Sequence, residues 1–219
     1  MDKTKNKSMN KNIYLISGLG ADERIFKHLN FGELTPIFIK WIKPKNNELI
    51  ENYALRLSEQ ITTKKPIILG VSFGGMLAIE IAKLIDCQQI IIISSAKTKK
   101  EIPFYYRLIG QLKGHKLIPI KLFKWANPLT YWFFGMHTKS EKELLKSILN
   151  DTNKTFLKWA INAIVNWKNK EIINNLVHIH GDLDRILPIK NKKEIDLIIP
   201  NGGHLMVFNK ADLINKILK

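Results

Sequence analysis

The chain of 219 residues has a single cysteine, Cys87. One cysteine excludes an intrachain disulfide and a thiolate-bound metal cluster. No apolar run approaches the roughly 20 residues that span a bilayer, so no stable membrane insertion is expected. There is no internal repeat and no low-complexity linker. Acidic residues are scarce, with 19 Asp and Glu against 35 Lys and Arg, a net charge of +16. The basic residues are mostly lysines scattered along the chain. A nucleic-acid surface would concentrate charge, favour Arg and carry a recognition motif, so nucleic acid is not an expected partner. A solvated lysine-rich surface is the plainer reading, and attraction to anionic substrates or membrane surfaces is the other. No histidine or carboxylate spacing points to a metal. Gly18-x-Gly20 lacks the rest of a dinucleotide fingerprint, so no cofactor is expected.

What is present fits one domain with a sizeable core. Six short, Ile-rich runs read as buried parallel strands: 13–17, 36–41, 66–71, 89–94, 176–180 and 195–199. Helical patterns separate several of them, at 47–62, 74–85 and 209–218. The alternation predicts an α/β fold, a doubly wound and mostly parallel six-stranded sheet in the order second-first-third-fourth-fifth-sixth. The first 11 residues read as a flexible tail ahead of a single domain over 12–219. Basic Met1–Asn12 followed by apolar Ile13–Ala21 mimics a short signal peptide, but cleavage there would remove the first strand and the loop after it. A cytoplasmic location is expected.

The chemistry begins at Gly70-Val71-Ser72-Phe73-Gly74-Gly75. This G-x-S-x-G follows the strand-like Pro66–Leu69 and precedes the helical Met76–Ala82. A serine in that strand-to-helix turn is pushed beyond the sheet edge, in front of unpaired helix N–H groups. Later come Gly181-Asp182-Leu183-Asp184-Arg185-Ile186-Leu187-Pro188 and Gly202-Gly203-His204, each at the end of a strand-like run. Serine, then acid, then histidine is the chain order of the α/β-hydrolases. Over residues 13–219 the chain resembles that superfamily, in its branch of small esterase- and thioesterase-like proteins. Three motifs carry the resemblance: Gly18-Leu19-Gly20, Gly70–Gly75, and Gly181–Pro188 with Gly203-His204. The N-terminal antiparallel hairpin of the full fold is missing.

The resemblance implies a serine hydrolase that cleaves a small carboxylic ester or thioester through an acyl-enzyme. Ser72 is then the nucleophile, His204 the base and Asp184 the acid. Gly181, Asp184 and Pro188 match G-x-x-D-x-x-x-P, which leaves Asp182 to shape the loop. Backbone N–H groups of Phe73 and Leu19 would form the oxyanion hole. Ser17 stands where the family usually has histidine. The same machinery also serves acyl transfer, C–C bond hydrolysis and cofactor-free oxidation, and a non-catalytic ligand-binding protein can retain it. A long segment, about 97–170, falls between the fourth and fifth strands, where the family inserts a helical cap. It holds most of the aromatics, and Phe104, Tyr131, Trp132, Phe134, His137 and Trp159 are candidates to line a substrate pocket. His28 and His115 read as surface residues, and His178 and His180 as structural residues in a strand.

Overall fold

The computed structural model describes residues 11–218. The expected tail, 1–11, lies outside them but for its last residue. Six parallel strands form one sheet in the order β2-β1-β3-β4-β5-β6. They are β1 (Asn12–Ile16), β2 (Thr35–Phe38), β3 (Ile67–Val71), β4 (Gln89–Ile93), β5 (Leu176–Gly181) and β6 (Leu197–Ile199). Fold class and strand order are those expected from the sequence.

Alternation along the central strands divides the apolar residues between two cores. Tyr14, Ile16, Ile68, Ile90 and Ile92 face one side, and Ile13, Leu15, Ile67, Leu69, Ile91 and Ile93 the other. A strand buried on both faces has no reason to alternate polar with apolar, which is why these runs read as continuous. Helices α1 (Ile50–Ser58) and α2 (Phe73–Ala82) cover the first face. Helix α2 is buried nearly all round, and its Glu80 is satisfied by Lys83 Nζ and Trp167 Nε1.

Between β4 and β5 lie five helices: α3 (Phe104–Gln111), α4 (Ile120–Phe123), α5 (Pro128–Phe134), α6 (Lys139–Asp151) and α7 (Lys154–Val165). Thr138 opens α6 with a reciprocal capping box to Glu141, and Asn153 caps α7. Phe156, Trp159 and Ala160 of α7 pack with α1 and α2, whereas Leu145 and Ile148 of α6 join the second core. That core is completed by α8 (Met206–Asn209) and α9 (Ala211–Ile214).

Three local expectations need correction. The edge strand β2 is largely exposed, and Pro36 is tolerated there because an edge strand can spare a donor. Trp41, read as part of that strand, lies beyond it. The expected C-terminal helix is two short ones, divided where Lys210 leaves helical backbone at φ −126°, ψ 24°.

Candidate active site

The C-terminal ends of β3, β5 and β6 bring three distant side chains together. Ser72 follows β3 with φ +53° and ψ −117°, a region that side-chain-bearing residues rarely occupy. The turn is held from several sides. Ser72 N–H donates to the Ile93 carbonyl at 2.9 Å, and Ser95 Oγ donates to the Ser72 carbonyl at 2.7 Å. Gly74 lies so close to β1 that a Cβ there would run into the Ile16 and Ser17 carbonyl oxygens. Phe73, the first residue of α2, has an N–H with no acceptor inside the helix.

His204 follows β6. Its Nε2 lies 2.8 Å from Ser72 Oγ, and its Nδ1 lies 2.8 Å from Asp184 Oδ2. Asp184 is buried, and its other oxygen accepts the N–H groups of Ile186 at 2.9 Å and Leu187 at 2.8 Å. Burial alone would raise the carboxyl's pKa. The charge and hydrogen bond of His204, with His180 and the Leu187 N–H, more than reverse this and hold it below the ordinary value. Asp182 is exposed, so the structure brings Asp184 and not Asp182 to the imidazole.

Behind Asp184 stand two further histidines of β5. His180 Nε2 donates to the Leu187 carbonyl at 2.8 Å and lies 3.4 Å from Asp184 Oδ2. His178 Nε2 lies 3.1 Å from His180 Nδ1. Both rings are fully buried, and burial pushes His180 down to about 4 and His178 to about 2, so both are neutral at neutral pH. The run of strand residues gave no sign that these two rings extend the Ser72–His204–Asp184 chain.

The loop after β1 runs beside Ser72, with Gly18 close enough that a Cβ would touch the serine's Cβ at 3.6 Å. Ser17 Oγ donates to the Ala21 carbonyl at 2.6 Å, and Trp41 Nε1 donates to the same oxygen at 2.6 Å. The loop is thus ordered from within and from β2's exit, with a serine and not a histidine at position 17. The insertion adds a third tie. Thr152 Oγ1 donates to the Gly20 carbonyl at 3.1 Å, and Arg24 joins Asp22 to Asp151. Neither Trp41 nor Thr152 had a motif to mark it.

The insertion also meets the His204 loop. Gly135, the αL residue ending α5, packs backbone to backbone on Gly203, and Leu205 N–H donates to the Phe134 carbonyl at 3.2 Å. The Phe134 and His204 rings form a T-shaped pair with centroids 5.7 Å apart. Tyr131 is half-buried against the second core. Trp159 is buried beside Phe73, and its Nε1 donates to the Glu48 carbonyl at 2.8 Å. Phe104, 70% exposed, and Trp132 and His137, also exposed, stand at the surface, so an enclosed pocket is not built from them. His115 is buried, contrary to expectation, because its Nε2 finds Asn162 Oδ1 at 3.0 Å. Among the described residues no group of three or more His, Cys, Asp or Glu is placed to hold a metal ion.

No family model and no curated protein matches the chain. Solved structures do. A hydrolase from Oleispira antarctica is similar at TM-score 0.70 and 15% identity, over 95% of this chain and 89% of that one. An esterase from Exiguobacterium antarcticum is similar at TM-score 0.68 and 14% identity, over 95% and 90%. A lipase-esterase related protein from Clostridium acetobutylicum is similar at TM-score 0.69 and 14% identity, over 97% and 95%. The parallel sheet, its strand order and these whole-length likenesses establish that the chain has the α/β-hydrolase fold.

Proposed function

We propose that the protein is a serine hydrolase that cleaves a carboxylic ester or thioester. One observation carries the reading: the His204 imidazole bridges Ser72 Oγ and a buried carboxylate, with 2.8 Å on each side. A serine hydroxyl is a weak nucleophile at neutral pH and needs a base in contact with it. His204 Nε2 takes the Ser72 proton as Oγ attacks the carbonyl carbon. Asp184 holds the Nδ1–H tautomer and stabilises the imidazolium. The carbonyl oxygen becomes an oxyanion, received by the N–H groups of Phe73 and Leu19. Each such donor is worth about 2.7–4 kcal/mol of barrier. The bond to the leaving alkoxide or thiolate then breaks, and the leaving group takes the proton from His204. Water, deprotonated by the same imidazole, attacks the acyl-enzyme and releases the acid and the free serine.

In this reading the α3–α7 insertion is the cap. Its Phe134 ring lies 5.7 Å from the His204 ring, which supports an apolar acyl chain over a charged one. A fluorophosphonate probe followed by intact-mass measurement tests the nucleophile. One adduct is expected on the native protein and none on a folded Ser72→Ala protein, which should also lose ester turnover. A native serine inert to the probe would favour a ligand-binding protein instead. Product analysis on an acyl-ester panel separates hydrolysis from acyl transfer.

A further inference from the structure

The insertion is apolar on the wrong side for a helix that merely packs on a core. Helix α3 touches α7 through Gly110, where a Cβ would strike Val165. Its Phe104 and Leu108, and Leu112 directly after it, fall about one helical turn apart and all face solvent, and Leu112 is 73% exposed. Helix α5 repeats the arrangement. Phe134 and Tyr131 turn inward, while Leu129, Trp132 and Phe133 turn out. Between the two helices Leu117 is 85% exposed and Trp125 61%. The 114–116 turn packs against α3, so the α3 stripe runs on towards Leu117, and monomeric soluble proteins rarely expose a continuous apolar patch unless something binds it.

Charge says what binds it. From Ile102 to Ser140 there is no Asp or Glu, while Arg107, Lys113, Lys116, Lys121, Lys124 and Lys139 fall in the same stretch. Lys113 and Lys121 are exposed, next in the chain to the exposed Leu112 and Leu122. We infer that the outward face from α3 to α5 docks on an anionic lipid bilayer surface. Apolar side chains enter the headgroup boundary while lysines meet the anionic headgroups. A second copy of the chain is the poorer occupant, since two copies of the same lysine-bearing segment, with no Asp or Glu from 102 to 140, would then meet and repel. Nucleic acid is poorer too: Phe104, Trp125 and Trp132 offer stacking planes, but Leu108, Leu112, Leu117 and Leu129 among them would meet no apolar partner on a nucleic acid. The protein would lie on the membrane and not cross it: α3 is about 12 Å long at the usual rise per residue, and no helix among the described residues is long and apolar enough to span. The same α5 that turns Trp132 outward turns Phe134 towards His204, so the docked face and the Ser72 site share one helix.

The test is co-sedimentation with large unilamellar vesicles, made of phosphatidylcholine alone or with phosphatidylglycerol. Binding about tenfold or more tighter to the anionic vesicles, weakening with salt, is the expected result. Lys113→Gln and Lys121→Gln should each weaken it about fivefold. Leu117→Gln combined with Trp125→Gln should abolish it; these side chains are exposed, and unchanged circular dichroism shows that the variants fold. Ser72→Ala should bind like the native chain, because docking does not depend on the hydrolytic reading. Equal partition onto both vesicle types, or none onto either, overturns the inference. So does a concentration-dependent dimer that leaves vesicles unbound and that Leu117→Gln disrupts, since a second copy would then own the face.

Discussion

His180 Nε2 lies 3.4 Å from the same Asp184 oxygen that His204 Nδ1 meets at 2.8 Å. One carboxylate oxygen therefore faces two imidazoles, and only His204 also reaches the serine. Asp184→Asn should reduce turnover about ten-thousandfold, because the amide no longer holds the required tautomer. Asp182→Asn, at an exposed position, should change it little. Steady-state rates on one activated ester compare the two, and an exchange of their effects would move the acid to Asp182.

The buried histidine pair makes an acid-stability prediction with a defined sign. Burial holds His180 at about 4 and His178 at about 2, against an ordinary value near 6.5. Between pH 6.5 and about 4 the unfolded chain binds more protons than the folded one, so stability falls as pH drops through that window. Each ring should cost about 2 kcal/mol by pH 5. Urea midpoints measured across that range should show the loss, and His180→Gln should make the decline shallower.

Gly135→Ala should damage catalysis from outside the hydrogen-bonded chain. Gly135 has φ +72°, and a Cβ there would stand 2.9 Å from the Gly203 Cα, next in the chain to His204. We expect a stability loss of about 1–3 kcal/mol from overpacking. We also expect kcat to fall, because His204 would move with Gly203. Native kcat in a protein that melts lower would confine the contact to stability.

An acyl chain seated beside Phe134 should gain about 0.8 kcal/mol for each methylene buried. Across a p-nitrophenyl ester series, kcat/KM should then rise roughly threefold to fourfold per carbon until the surface is filled, and level off. A flat series, or a preference for acetyl, would mean that Phe134 serves only to pack the insertion onto the His204 loop.

The sheet and the Ser72–His204–Asp184 arrangement were legible because each rests on a local signal. The strands are unbroken Ile runs, and Gly74 is demanded by carbonyl oxygens of β1 that any sequence with this turn must approach. Thr152, Trp41 and Gly135 were not legible. Their partners are backbone oxygens and a glycine far away in the chain, and no spacing encodes them. Phe104 and Trp132 are a different case. They read as pocket residues because the insertion holds most of the aromatics, but aromatic content does not say whether a side chain meets a ligand, the core or the solvent. Both stand at the surface.

The Gly135–Gly203 seam has a consequence for anyone shortening this chain. A minimal version that joined β4 directly to β5 would keep Ser72, Asp184 and His204 and every strand that carries them. It would lose the Phe134 carbonyl that holds Leu205, the Asn209 bond to the Gly135 carbonyl, and the Thr152 bond to Gly20. The loop bearing the imidazole and the loop beside the serine would both be released together. The insertion is no ornament on the sheet but a splint across its two most exacting turns, and truncation should trade a positioned histidine for a wandering one.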